Sequence, residues 1–229
     1  MRPAEIARYI DHTLLKPDAT ADDIRRLCDE AMKHKFASVC INPIWVGLCS
    51  DLLHGSNVSS VKVCTVVGFP FGANLSWTKA NEALQVFEEG AEEIDMVINI
   101  GSLKTGNLGY VQSVYNDILN VRSTVPSVTL KVITETCLLT VPEKILACRL
   151  AKEAGADFVK TSTGFSTSGA TVEDVALMRR VVGEKMGVKA AGGIKNFATA
   201  KAILEAGANR LGCSTSVAIV SEAAQEEES

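Results

Sequence analysis

At 229 residues, with 47% hydrophobic and 22% charged residues, the chain is long enough to bury a sizeable core and has the composition of a folded, water-facing protein. Its formal charge of -4 argues against a nucleic-acid partner, which needs a basic face, but leaves room for small anionic ligands in a local pocket. No apolar run can span a membrane, Met1-Arg-Pro-Ala-Glu-Ile6 lacks a signal-peptide core, and the seven scattered cysteines form no C-x-x-C pair, so reduced thiols in a cytoplasmic protein are expected.

Short β-branched runs alternate with helical patterns along the whole chain. Ile10–Thr13 reads as an opening strand behind a short N-terminal helical segment, and Thr20 with Asp23 caps a helix carrying Ile24, Leu27, Cys28 and Ala31 inward. Val39–Ile41 and Val61–Val67 follow as strands. Ser76 is placed as the cap of a helix through Ala80, Ala83, Leu84 and Phe87, stopping at Gly90. Ile94–Ile98 is the next strand, then a helix marked by Val111, Val114, Tyr115 and Ile118, then strand Thr129–Ile133. Thr140-Val-Pro-Glu143 is a capping box whose helix ends at Gly155, before strand Phe158–Thr161. Thr171 with Asp174 opens a helix through Val175, Met178 and Val182, expected to stop near Gly187. Strand Val188–Ala191, a helix capped by Asn196 and strand Arg210–Cys213 complete the series. Glu222–Ser229 reads as a frayed acidic tail.

The strands are apolar runs of the kind covered on both faces in parallel sheets. Three are preceded by a helix-ending glycine turn (Glu89–Ala91, Ala154–Ala156, Ala206–Ala208). Eight βα repeats without a composition break favour one (β/α)8 TIM barrel of α/β class over an open doubly wound sheet, with residues 1–229 as a single domain.

Barrel enzymes work at the C-terminal ends of their strands. Polar residues in or just after the strand runs are Asp11, Asp95, Asn99, Lys131, Glu135, Lys160 and Lys189. Lys160, in Phe158-Val-Lys-Thr-Ser-Thr-Gly164, is either an outward lysine with its stem along the barrel wall or a functional amine in the lumen. Lys189 on the next strand run tips the balance: a neighbouring cation and partial desolvation favour the neutral, nucleophilic form of a lysine. Asp95 is either a structural ion-pair partner or a proton relay, and Asp11 a residue that orients a lysine. Turns with glycine and hydroxyl groups at Ser162–Gly164, Gly192-Gly193 and Gly212–Thr215 suit a phosphate. No histidine and carboxylate cluster at metal-ligand spacing is visible, so no metal and no cofactor is expected.

These segments resemble the deoxyribose-phosphate aldolase family. The matching phrases are Ile10–Pro17, Ser38–Pro43, Val66–Gly72, Glu93–Asn99, Leu130–Ile133 with Glu135-Thr136, Phe158–Gly164 and Val188–Gly193, in order and over nearly the whole length. The resemblance implies a lyase that reversibly cleaves 2-deoxy-D-ribose 5-phosphate to D-glyceraldehyde 3-phosphate and acetaldehyde, in deoxyribose catabolism. It implies Lys160 as the imine-forming lysine, Lys189 as the second lysine that perturbs it, and Asp95 as the proton-relay carboxylate. Gly164, Gly192, Gly193, Ser214 and Thr215 fall where the family binds phosphate, with Thr163, Lys195 and Gly212 beside them. Cys40 and Asp11 line the matching pocket segments. A homodimer or homotetramer is the implied assembly. Departures are the lack of any tyrosine after Tyr115, the sequence Gly212-Cys213-Ser-Thr-Ser216 where Gly-Ala/Thr-Ser-Ser-Gly is usual, Ser168 where glycine is common, and Lys195 where some members carry arginine.

Overall fold

The structure, a computed structural model, describes residues 1–55 and 59–227. After the short helix α1 (Pro3–Ala7), strands and helices alternate in a regular order. They run β1 (Ile10–Leu14), α2 (Ala21–His34), β2 (Ser38–Ile41), α3 (Val46–Ser50), β3 (Lys62–Val67), α4 (Ser76–Glu88) and β4 (Glu93–Val97). Then follow α5 (Ile100–Thr105), α6 (Leu108–Thr124), β5 (Thr129–Ile133), α7 (Val141–Glu153), β6 (Phe158–Lys160) and α8 (Val172–Val182). The series closes with β7 (Gly187–Ala191), α9 (Phe197–Glu205), β8 (Arg210–Cys213) and α10 (Ser216–Glu227). The eight strands pair in sequence order, all parallel, and β1 closes on β8, giving a (β/α)8 barrel.

Local chemistry sets the helix ends. The Thr20 side chain accepts from the Asp23 amide while Asp23 returns a bond to Thr20, and the Glu143 carboxylate accepts the Thr140 amide at 2.7 Å. Several strand ends shift by one residue from the sequence reading, and three helix boundaries differ from it. Ser76 is the first helical residue of α4, and Leu75 holds the cap position. α8 stops at Val182 because Gly183 takes a positive φ of 75°, which frees Gly187 to begin β7. The tail expected to fray from Glu222 is helical through Glu227: Ala223 is buried, and Glu222 Oε2 accepts the Phe197 amide at 2.7 Å, anchoring α10 to the start of α9. Residues 228 and 229 lie outside the described part.

Alternation along the strands separates two interiors. Ile94 and Met96, Leu130 and Val132, and Val188 and Ala190 face the helices and form the large apolar core with Ile24, Ile118 and Met178. Their neighbours Glu93 and Asp95, Lys131 and Lys189 face the lumen, where Leu15, Cys40, Cys64 and Val66 make only a small apolar cluster. Each inward charge is therefore held by apolar residues on either side that dock on helices.

Candidate active site

Strand register brings the lumen charges together before any side chain is considered. Asp95 is the register partner of Lys131, Lys160 of Lys189, and Lys189 of Arg210, and β1 closes the ring with Asp11 opposite Gly212. Asp95 is the hub. Its Oδ2 accepts the Lys160 ammonium at 2.8 Å and the Lys189 ammonium at 2.7 Å, and its Oδ1 accepts Lys131 at 2.9 Å. Lys189 also pairs with Asp11 at 2.5 Å, Lys131 with Glu93 at 2.6 Å, and Arg210 bridges Asp11 at 2.6 Å and Glu93 at 2.8 Å.

Burial decides the electrostatics. Asp11, Asp95, Lys131 and Lys189 are completely buried. Burial alone would push the Asp95 carboxyl up, but the ammonium groups of Lys131, Lys160 and Lys189 outweigh it and hold the group well below the usual carboxylate range. Burial would likewise discharge Lys189, yet Asp11 and Asp95 raise it above an ordinary lysine and keep it cationic. Four cations thus meet three carboxylates among the described residues, leaving the cluster one positive charge in surplus. Cys40, Cys64 and Asp95 are close enough to hold a metal ion, but the Asp95 oxygens are taken by ammonium groups and the surplus charge opposes a divalent cation.

Above this cluster lies a cavity of about 250 Å³ at the C-terminal ends of the strands. Lys160 is the cluster lysine that lines it, beneath walls formed by Thr163, Gly164, Gly192, Gly193, Lys195 and Ser214. Gly192 has a φ of 83°, and a Cβ there would stand 2.9 Å from the Gly169 Cα, so the wall can come this close only as glycine. Glu135 accepts both the amide and the hydroxyl of Thr163, which fixes the loop leaving β6. An amine at the floor and glycine amides with a hydroxyl and a lysine at the rim can bind a carbonyl compound carrying an anionic group.

The family model for DeoC/LacD family aldolases matches residues 6–221, nearly the whole barrel. The chain belongs to the DeoC/LacD aldolase family. Among relatives, a deoxyribose-phosphate aldolase of Brevibacillus brevis is 56% identical over 213 residues, covering 93% of this chain and 94% of its own. One from Thermococcus kodakarensis is 55% identical over 226 residues, covering 99% of this chain and 100% of its own. The tetrameric structure of deoxyribose phosphate aldolase from Aeropyrum pernix superposes with a TM-score of 0.85 at 34% identity, covering 96% of this chain and 91% of that one.

Within this DeoC/LacD barrel the residues singled out from sequence fall into two layers. Lys160, Thr163, Gly164, Gly192, Gly193, Lys195, Gly212 and Ser214 line the cavity. Lys189, Asp95, Asp11 and Cys40 lie buried beneath it, reaching the cavity only through Lys160 and its neighbours. Thr215 and Ser168 are exposed and lie off the cavity wall, Thr215 with its hydroxyl 3.4 Å from the Ile194 and Lys195 carbonyls. Three residues received no role from the sequence. Lys131 stands in the sequence only as a polar residue in a strand run, and its contact with the hub follows from register. Arg210 sits at the start of β8, at the end of the barrel where the C-terminal rule does not look. Lys16, inside the matching segment Ile10–Pro17, also lines the cavity.

Proposed function

We propose that the chain reversibly cleaves 2-deoxy-D-ribose 5-phosphate to D-glyceraldehyde 3-phosphate and acetaldehyde through an imine on Lys160. The observation that carries this reading is that Lys160 alone among the cluster lysines reaches the cavity, while its nitrogen shares one Asp95 oxygen with a second lysine held cationic. Nucleophilic attack needs an amine without its proton. Releasing one proton from the cluster removes its surplus charge, and the Lys160–Asp95–Lys189 contact offers a route for that proton.

The amine adds to the C1 aldehyde of the open-chain sugar, and the C1 oxygen leaves as water to give an iminium. The C3 hydroxyl loses its proton and the C2–C3 bond breaks, its electron pair moving into the iminium to form an enamine. D-glyceraldehyde 3-phosphate leaves, C2 is protonated, and water hydrolyses the imine to acetaldehyde and free Lys160. Asp95 and Lys189 carry the proton transfers. Gly164, Gly192, Gly193, Lys195 and Ser214 are the groups assigned to the 5-phosphate, with the N-terminus of α10 nearby. A cytoplasmic homodimer or homotetramer is the proposed form. The tetramer of the Aeropyrum pernix relative, the exposed Phe71, Leu75 and Trp77, and cysteines that are all unpaired support it.

Trapping with acetaldehyde and borohydride, followed by peptide mapping, tests the reading. The adduct is expected on Lys160, and Lys160→Ala should fold normally yet neither form it nor turn over substrate. Turnover should be unaffected by EDTA. No adduct, or one on another lysine, overturns the imine at Lys160. Trapping by dihydroxyacetone phosphate but not by acetaldehyde assigns the barrel to a different aldol substrate.

A further inference from the structure

β1 carries three adjacent polar side chains, Asp11, His12 and Thr13, and only Asp11 belongs to the charge cluster. His12 points the other way, into the space between β1, α2 and α10. It is 4% exposed, its ring lies 5.1 Å from that of Phe36, its Nε2 is 2.7 Å from Glu30 Oε2, and its Nδ1 is 2.9 Å from Ser216 Oγ. A carboxylate can only accept, so Nε2 carries the hydrogen that Glu30 receives. Burial lowers the His12 pKa against the opposing pull of Glu30, so the ring is neutral and Nδ1 is left as an acceptor for the Ser216 hydroxyl. Ser216 is itself fully buried, and its Oγ also lies 3.0 Å from the Cys213 carbonyl, so its single hydrogen is shared between that carbonyl and Nδ1.

Two residues, Ser214 and Thr215, lie between Cys213 and Ser216 at the exit of β8. Ser214 lines the active-site cavity on one side and a second hollow of about 460 Å³ on the other, whose wall includes His12, Glu30 and Leu27. Ser214 and Thr215 are exposed between the two hollows, and besides the long contacts of the Thr215 hydroxyl the turn is fixed from its buried ends, Cys213 and Ser216. At the Ser216 end the buried chain Glu30–His12–Ser216 supplies a tether, tying the turn to β1 and α2.

We propose that His12 is a positioning residue for phosphate recognition: through Ser216 it holds the turn Cys213–Ser216 so that Ser214 faces the cavity in a fixed place. This rests on the assignment of that rim to the 5-phosphate. Because the tether ends at the rim and touches neither Lys160 nor Asp95, it sets how well the phosphorylated sugar is held and not how fast the C–C bond breaks.

The test compares KM and kcat for 2-deoxyribose 5-phosphate and for 2-deoxyribose in wild type, His12→Phe, Ser216→Ala and the double variant. His12→Phe keeps the ring contact with Phe36 and deletes both hydrogen bonds, and Ser216→Ala removes one oxygen atom and safeguards the test if the first variant folds poorly. Each single variant should raise KM for the phosphorylated sugar about fivefold, the scale of one lost hydrogen bond. The kcat should stay close to wild type, the unphosphorylated sugar should be unaffected, and the double variant should be no worse than either single one. Additive losses, an equal loss for both sugars, or no change in KM would overturn the tether. A wild type that handles both sugars alike and is not inhibited by inorganic phosphate would instead overturn the phosphate assignment on which it rests.

Discussion

Asp95 accepts three ammonium groups on two oxygens, and among the described residues it is the one carboxylate paired with Lys160. Asp95→Asn keeps the shape but turns one of those acceptors into a donor facing an ammonium. Turnover should fall at least about 100-fold, since a relay group is lost. Unfolding by urea should show a loss of roughly 3–5 kcal/mol, the cost of breaking a buried ion pair. Full stability with lost turnover would mean that the carboxylate serves the reaction alone. At this scale the sequence was informative where a charge interrupted an apolar run, as at Asp95, Lys160 and Lys189. It gave the pairing of Asp95 with Lys189 and a lysine partner for Asp11, but not the contacts of Asp95 with Lys131 and Lys160 or those of Arg210. Asp95 touches Lys160 and Lys189 across strands that are not its neighbours, and that contact depends on barrel closure.

Between elements, one pair outside the lumen repeats the same physics. Lys79 of α4 is completely buried, and its ammonium donates to Asp117 of α6 at 2.5 Å and to the Val97 carbonyl at the end of β4 at 2.8 Å. Lys79→Met should cost roughly 3–5 kcal/mol by stranding Asp117, and Lys79→Met with Asp117→Leu should recover most of it. Urea midpoints of the three proteins decide this, and a double variant no more stable than the single one would refute it. Lys79 shares the buried face of α4 with Ala83 and Val86 at helical spacing, whereas the sequence reading turned Ala80, Leu84 and Phe87 inward, of which Leu84 and Phe87 are exposed. Strands and long helices were readable from β-branched runs and capping residues such as Thr20 and Asn196, which act within a few residues. The short turns of helix at residues 43–55 and α5 carry too few residues for a period to show. The order of α10 beyond Glu222 depends on a bond to Phe197, 25 residues away along the chain.

For the whole molecule, acid should act in two stages. Burial lowers His12, so the unfolded chain takes up a proton near pH ~6.5 that the fold refuses, and stability starts to fall below that point. Asp11 and Asp95 are held below their ordinary range by the neighbouring lysines and Arg210, so their contribution is intact above about pH 4 and is lost as pH drops further. Urea midpoints measured from pH 8 to 3 should therefore decline gently from about 6.5 and steeply near 4. A flat profile down to pH 4 would contradict the first stage. The charges that titrate are also divided along the chain. β1 and β4 supply Asp11, Glu93 and Asp95, while β5 to β8 supply Lys131, Lys160, Lys189 and Arg210. Each half-barrel alone would bury charges of one sign, an arrangement that only the other half can neutralise. Fragments split in the exposed loop at Ser127 should consequently stay unfolded when expressed singly and reconstitute turnover when expressed together, so that the two halves select each other by charge as well as by shape.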